Sequence, residues 1–149
     1  MFTDNQAEAR AGECPDNPMP ITVLFVDDLA EIRFVARVYL ESFGFLVQLA
    51  CSAEEALARF DANLSDVVVT DNSMPGMTGE EMAHIIKMRS PSTPVIMYSG
   101  LQPKDSSALD AVVLKPTALS ELKAVIQNVL SRKHPKPKPE SGALSGCGN

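Results

Sequence analysis

The fold of this chain is decided by DVVVTD at residues 66–71 and by NSMPGMTG, which follows at residues 72–79. Three consecutive valines are typical of a strand that is buried on both faces in the middle of a parallel sheet. The proline and glycines that follow favour a loop, and a helical pattern begins near residue 80. Asp71 is therefore predicted at the carboxyl end of a central strand, where open α/β sheets bind their ligands.

Four further apolar segments predict the remaining strands of one sheet. They lie at residues 21–26, 45–49, 95–98 and 112–114. Strands that alternate with helices favour right-handed crossovers and a parallel sheet. Residues 101–110 are polar and interrupted by Pro103, so the helix between the last two strands is predicted to be short or missing.

The first helix is predicted between the first two strands. Ile32, Val35, Ala36, Tyr39 and Phe43 recur at helical spacing and share one face, which we expect to pack against the sheet. A glycine follows Phe43 and is a suitable residue to end this helix.

Composition and charge narrow the classes of function. The chain has 149 residues and 45% hydrophobic content, enough for one domain with a core of ordinary size. Its net charge of −6 argues against partners such as nucleic acid or an anionic membrane. No signal peptide or membrane-spanning run is evident, and three scattered cysteines indicate neither a disulfide framework nor a zinc site. We therefore expect a cytoplasmic protein.

The predicted organisation is one domain between two tails. Residues 1–20 are polar without periodicity and are predicted to be a disordered N-terminal tail. The domain spans residues 21–131. Residues 132–149 contain Lys-Pro pairs and then Gly, Ser and Asn, which predicts a disordered C-terminal tail and no DNA-binding output domain.

Polar side chains stand at the carboxyl ends of four predicted strands. Asp27 and Asp28 follow the first strand and Asp71 follows the third, while Ser99 ends the fourth and Lys115 follows the fifth. In a sheet of order 2-1-3-4-5 these ends meet near the switch point between strands one and three. Each residue alone could be a helix cap, a turn hydroxyl or a surface charge. Their shared position favours one site.

The chemistry that suits such a site is phosphoryl transfer. Carboxylates about 4 Å apart repel by roughly 4 kcal/mol per pair, so the site must take up a proton, a lysine or a cation. A few hard oxygen ligands open to water suit Mg²⁺, which also accepts a phosphate oxygen. Asp71 can then attack phosphorus while Ser99 and Lys115 contact the phosphoryl oxygens, and the product is an aspartyl phosphate.

These residues resemble the motifs of the CheY-like receiver domains of bacterial two-component response regulators. The resemblance covers about residues 21–131 and implies a flavodoxin-like, doubly wound (βα)5 parallel sheet with strand order 2-1-3-4-5. Because the segment after Ser99 is short, the fourth helix of this fold is predicted to be shortened or missing. The matched positions are Val26-Asp27-Asp28, Asp71 with Met74 to Gly79, Ser99-Gly100 and Lys115-Pro116.

The resemblance also implies roles for the matched residues. Asp71 is expected to be the phosphoacceptor, with Ser99 and Lys115 acting on the phosphoryl group. The phosphoryl donor would be a sensor histidine kinase or a histidine phosphotransfer protein, and the output would be binding to a downstream target protein. The expected ligands of Mg²⁺ are Asp27 (through water), Asp28, Asp71 and the backbone carbonyl of Ser73.

Two departures from the family pattern concern how a signal leaves the site. The family usually has an aromatic residue three positions before the lysine, where this chain has Val112. The interval from Ser99 to Lys115 is also shorter than usual. A β-branched valine is too small and too stiff to act as an aromatic rotamer switch. We therefore predict that the segment after Ser99 is the part that moves.

The sequence leads to one main hypothesis and two alternatives. The main hypothesis is a single-domain response regulator that catalyses at most its own phosphorylation and dephosphorylation. A phosphorylation-independent adaptor of the same fold would bind its partner equally well after Asp71→Asn. A Mg²⁺-dependent phosphatase would turn over a phosphate ester, although the chain lacks the Asp-x-Asp spacing and the cap insertion of such enzymes.

Overall fold

The computed structural model describes residues 20–62, 65–115 and 117–133. In chain order the elements are β1 (Thr22–Val26), α1 (Ala30–Glu41), β2 (Leu46–Ala50), α2 (Ala53–Ala62), β3 (Val67–Thr70), α3 (Gly79–Arg89), β4 (Val95–Ser99), β5 (Ala111–Leu114) and α4 (Leu119–Lys133). The strands form one parallel sheet in the order β2-β1-β3-β4-β5. This order confirms the predicted doubly wound, flavodoxin-like fold.

Each face of the sheet is covered by its own hydrophobic core. Alternate residues of β1 and β3 contribute to a first core that includes α1 and α4, and to a second core that includes α2 and α3. The valines at positions 67–69 of β3 are at most 1% exposed. The central strand is therefore buried on both faces, as the valine run predicted.

The inward face of α1 differs from the predicted one. Ala36 and Leu40 are its buried residues, whereas Val35 is 52% exposed and Phe43, just beyond the helix, is 51% exposed. Side chains turn by about 100° per residue in a helix, so Val35 points away from the line that joins Ala36 and Leu40. The prediction of one buried face that includes Val35 and Phe43 was wrong at these two positions.

The connection between β4 and β5 contains no helix. Residues 100–110 are all described and form only bends and one turn, so the missing fourth helix is confirmed. We call residues 100–110 the crossover segment. Its last residue is anchored, because the carboxylate of Asp110 accepts hydrogen bonds from Nζ of Lys87 at 2.7 Å and from the backbone N–H of Val95 at 2.8 Å.

The predicted tails lie almost entirely outside the described residues. The structure begins at Pro20, and α4 continues to Lys133, past the predicted domain end at residue 131. Within the described ranges, no helix has both the length and the apolar character needed to cross a membrane.

We expect a chain shortened to residues 20–133 to fold as stably as the 149-residue chain. All strands and helices of the described part of the chain lie within these residues, and the sequences of the removed segments show no apolar periodicity. Thermal unfolding followed by circular dichroism should give melting temperatures within about 5 °C of each other, since 1 kcal/mol corresponds to roughly 3–6 °C for a domain of this size. A drop several times larger would contradict the expectation and show that a removed segment stabilises the domain.

Candidate functional site

The carboxyl ends of β1, β3, β4 and β5 meet at one edge of the sheet. Backbone hydrogen bonds continue the ladders past the strand ends. The N–H of Asp71 donates to the carbonyl of Val26 at 2.9 Å, and the N–H of Lys115 donates to the carbonyl of Ser99 at 2.8 Å. The acidic, hydroxyl and lysine side chains proposed from the sequence therefore stand at or next to four neighbouring strand ends.

Three carboxylates form the centre of the site. Oxygen atoms of Asp27, Asp28 and Asp71 all lie within 4.8 Å of one another. Asp27 is fully buried and Asp71 is 9% exposed, whereas Asp28 is exposed, so the cluster opens to solvent on one side. Two such carboxylates repel by roughly 3–4 kcal/mol at an effective dielectric constant of about 20. The cluster therefore needs positive charge beside it.

Lys115 provides positive charge inside the site. Its Nζ lies 2.9 Å from Oδ2 of Asp27, and the lysine side chain is 23% exposed. The other carboxylate oxygen of Asp27 accepts the backbone N–H of Leu29 at 3.0 Å. Asp27 is thus hydrogen-bonded at both oxygens, which offsets the cost of burying its charge.

Tyr98 belongs to this site, although the sequence identified it only as part of the apolar segment at residues 95–98. Its ring centroid lies 5.3 Å from Nζ of Lys115, and its hydroxyl donates to the carbonyl of Thr117 at 2.8 Å. Burial raises the pKa of Tyr98, the ammonium of Lys115 opposes this rise, and the carboxylate of Asp27 adds to it. Tyr98 thus helps to position Lys115. The available signal was an aromatic residue beside Ser99 on the strand next to β5.

The two serines of the predicted site have different surroundings. Ser99 is fully buried at the end of β4, and its Oγ accepts the N–H of Leu101 at 3.4 Å. A hydrogen bond this long is weak, so it is readily exchanged for a shorter one to a charged acceptor. Ser73 is exposed in the loop that follows Asp71.

We call residues 71–79 the Asp71 loop. This loop leads into α3, and the backbone of Asp71 passes close to Gly79, the first residue of that helix. A Cβ atom on Gly79 would stand 2.3 Å from the backbone oxygen of Asp71, so only glycine fits there. The N–H of Gly79 donates to the carbonyl of Asn72 at 3.2 Å, and Met74 is buried in the second core. These contacts fix the path of the loop and hence the place of Asp71.

Residues 23–127 match the family model described as the response regulator receiver domain. This chain belongs to that family. The matched residues include the whole site at the strand ends and most of α4. The resemblance inferred from the motifs is therefore confirmed.

Curated relatives carry similar receiver sequences within longer proteins. The chain is 34% identical over 136 residues to the response regulator MprA of a Mycobacterium species, covering 85% of this chain and 58% of that protein. It is also 34% identical over 116 residues to the autoinducer 1 sensor kinase/phosphatase LuxN of Vibrio campbellii, covering 74% of this chain and 14% of that protein. The chain therefore spans a small to moderate part of these relatives.

Solved structures of receiver proteins have the same fold. The response regulator TrrA of Thermotoga maritima, in complex with Mg²⁺-BeF, has a TM-score of 0.70 and 29% identity, covering 73% of this chain and 98% of that one. A CheY-like receiver domain protein of Methanospirillum hungatei has a TM-score of 0.74 and 25% identity, with coverages of 78% and 98%.

Proposed function

We propose that this receiver domain accepts a phosphoryl group on Asp71 in a Mg²⁺-dependent reaction and signals by binding another protein. The observation that carries the proposal is the cluster of Asp27, Asp28 and Asp71, whose oxygens lie within 4.8 Å, beside the ammonium of Lys115. The similarity to TrrA, whose structure was solved with Mg²⁺-BeF, supports the same conclusion.

The donor set fits Mg²⁺. The three carboxylates supply hard oxygen atoms, and the exposed side at Asp28 leaves room for water and a phosphoryl oxygen. Asp28 and Asp71 would bind the ion directly, Asp27 through water, and the backbone carbonyl of Ser73 would complete the protein ligands. When bound, Mg²⁺ supplies positive charge that offsets the carboxylates and the phosphoryl oxygens.

The residues of the chain account for the transfer itself. A carboxylate oxygen of Asp71 forms the bond to phosphorus while the bond from phosphorus to the imidazole nitrogen of the donor breaks, and the electron pair stays on that nitrogen. Lys115, next to Asp27 in the resting protein, can turn toward the new phosphoryl oxygens. Ser99 can donate its hydroxyl hydrogen to one of them, in place of its long contact with Leu101.

The expected donor class rests on membership of the receiver-domain family. A phosphohistidine on a sensor histidine kinase or a histidine phosphotransfer protein carries a phosphoryl group that a carboxylate can accept. The net charge of −6 disfavours nucleic acid and anionic membranes as partners, so the output would be binding to a target protein. We expect both proteins to act in the cytoplasm.

A phosphotransfer profile tests the function and identifies the donor. Each histidine kinase and phosphotransfer protein of the source organism is phosphorylated with labelled ATP and mixed briefly with the chain. We expect fast transfer from one or a few donors and none to the Asp71→Asn variant. Failure of every donor, or equal labelling of Asp71→Asn, would rule out the proposed function.

A further inference from the structure

Glu80, in the first turn of α3, joins the Asp71 loop to the crossover segment. Its Oε2 accepts a hydrogen bond from Nδ2 of Asn72 at 2.9 Å and another from the backbone N–H of Lys104 at 2.8 Å. Its own backbone N–H donates to Oδ1 of Asn72 at 2.9 Å. Both ends of the Asn72 side-chain amide are therefore held by one residue.

Asn72 also contacts the proposed phosphoacceptor. Its backbone N–H donates to Oδ1 of Asp71 at 2.8 Å, and its carbonyl accepts the N–H of Gly79 at 3.2 Å. Bonding of Asp71 to phosphorus changes the charge on the carboxylate that accepts this hydrogen bond. A change in the charge of Asp71 therefore acts first on Asn72, through this hydrogen bond. Glu80 is the next residue in the series of hydrogen bonds.

The contacts near the start of the crossover segment are weaker than the one to Glu80. Leu101 is 68% exposed, and its N–H reaches Ser99 at 3.4 Å. Nε2 of His84 lies 2.9 Å from Oδ2 of Asp105, but both side chains are about half exposed, and surface pairs of this kind contribute little. Hydrogen bonds from Ser107, more than the one from His84, lower the pKa of Asp105 to about 2. Asp105 is therefore bonded mainly within its own turn.

Capping of α3 does not account for the position of the Glu80 carboxylate. Thr78 and Glu81 already form a reciprocal capping box, with hydrogen bonds of 2.9 and 3.2 Å. A carboxylate in the first turn stabilises a helix through the helix dipole, whichever way the side chain points. The carboxylate of Glu80 points instead to a backbone N–H that lies 24 residues further along the chain.

We propose that Glu80 is a positioning residue that couples the Asp71 loop to the crossover segment, so that phosphorylation of Asp71 shifts residues 101–106. The input of this coupling rests on the proposed function, whereas the link from Asn72 through Glu80 to Lys104 exists in the unphosphorylated protein. The hydrogen bonds, rather than the charge alone, carry the coupling.

The test compares amide NMR spectra of wild type, Glu80→Leu, Glu80→Gln and Glu121→Leu. Glu121 is the matched control, because it is also an acid in the first turn of a helix and is exposed. Without any phosphoryl mimic, we expect the amide of Lys104 to exchange with solvent about tenfold faster in Glu80→Leu than in wild type. Glu80→Gln should remain close to wild type, because its amide oxygen can accept both hydrogen bonds, and so should Glu121→Leu.

The second measurement adds Mg²⁺ and beryllofluoride to the same four proteins. In Glu80→Leu the shift changes at residues 101–106 should fall to about half of the wild-type changes or less, while those of the Asp71 loop persist. Glu80→Gln should restore them. Wild-type Lys104 exchange or a full response at 101–106 in Glu80→Leu would overturn the proposal, as would Glu80→Gln behaving like Glu80→Leu. If no amide of the wild-type spectrum shifts on adding the mimic, the proposed function fails. The Lys104 exchange rates alone then decide whether Glu80 holds the crossover segment.

Discussion

Replacing Gly79 with alanine should lower the melting temperature by about 10 °C and slow the phosphorylation of Asp71. The added Cβ would lie 2.3 Å from the backbone oxygen of Asp71 and 3.1 Å from Cα of Asn72, and neither backbone atom can rotate away. Overpacking of this kind costs about 1–3 kcal/mol or more, while alanine in place of glycine in a helix returns at most about 1 kcal/mol. The clash should therefore dominate and displace Asp71.

Gly100→Ala is the matched control for this substitution. A Cβ on Gly100 would meet nothing within 4 Å, and Gly100 also lies next to the site, directly after Ser99. We expect its melting temperature to stay within about 2 °C of wild type. Thermal unfolding and the rate of labelling by a small-molecule phosphodonor check both variants. A Gly79→Ala protein that matches Gly100→Ala in both would contradict the close approach of the Asp71 loop to α3.

Replacing Lys115 with methionine should destabilise the protein in chelator and make Mg²⁺ more stabilising than it is for wild type. The substitution leaves the fully buried carboxylate of Asp27 without its ammonium partner at 2.9 Å. Breaking a buried pair in this way lowers the free energy of unfolding by about 3 kcal/mol, which corresponds to a fall of roughly 10 °C in melting temperature. A cation bound by the three carboxylates returns part of that stability, because it replaces the lost positive charge.

The Lys87→Met variant tests whether the larger stabilisation by Mg²⁺ is specific to Lys115 or follows the loss of any lysine–aspartate pair. Lys87 pairs with Asp110 at 2.7 Å with similar exposure of the lysine. Asp110 directly precedes β5 and also accepts the N–H of Val95 at the start of β4, so this pair lies at the edge of the sheet opposite to the acidic cluster. We expect Lys87→Met to lose stability as well, but to gain no more from Mg²⁺ than wild type gains. Melting curves in chelator and in excess Mg²⁺ give the comparison. Equal Mg²⁺ stabilisation of wild type and Lys115→Met would contradict the account of the site.

The sheet and the position of the acidic residues could be predicted because both depend on local pattern. A strand buried on both faces needs apolar residues at every position, and the valines at 67–69 meet that need. Once the strands are parallel, the residues that follow them must meet at one edge, which places Asp27 and Asp71 together without any knowledge of loops.

The buried face of α1 could not be predicted in the same way, because this helix carries apolar residues on all sides. Phe34 is 63% exposed and Val38 is 53% exposed, while the small Ala36 is buried. Helical periodicity identifies a face only when polar residues occupy the opposite side. The sequence pattern alone therefore offered more than one plausible inward face.

Tyr98 and Glu80 were missed for a different reason. Tyr98 contacts Thr117, and Glu80 contacts Lys104, across loops whose paths set the distances. Strand and helix periodicity describe which side of an element a residue occupies, but they do not describe where a distant loop passes. A signal such as an aromatic residue beside Ser99 can mark a candidate, but these contacts can be assigned only when the positions of Thr117 and of the crossover segment are known.

The most direct test of the central claim is the intact mass of the protein after incubation with a small-molecule phosphodonor. With Mg²⁺, the wild-type chain should gain the mass of one phosphoryl group, and peptide mapping after reduction of the acyl phosphate should place it on Asp71. Excess chelator or Asp71→Asn should abolish the gain. The same mass increase in Asp71→Asn, or in wild type without Mg²⁺, would contradict the account.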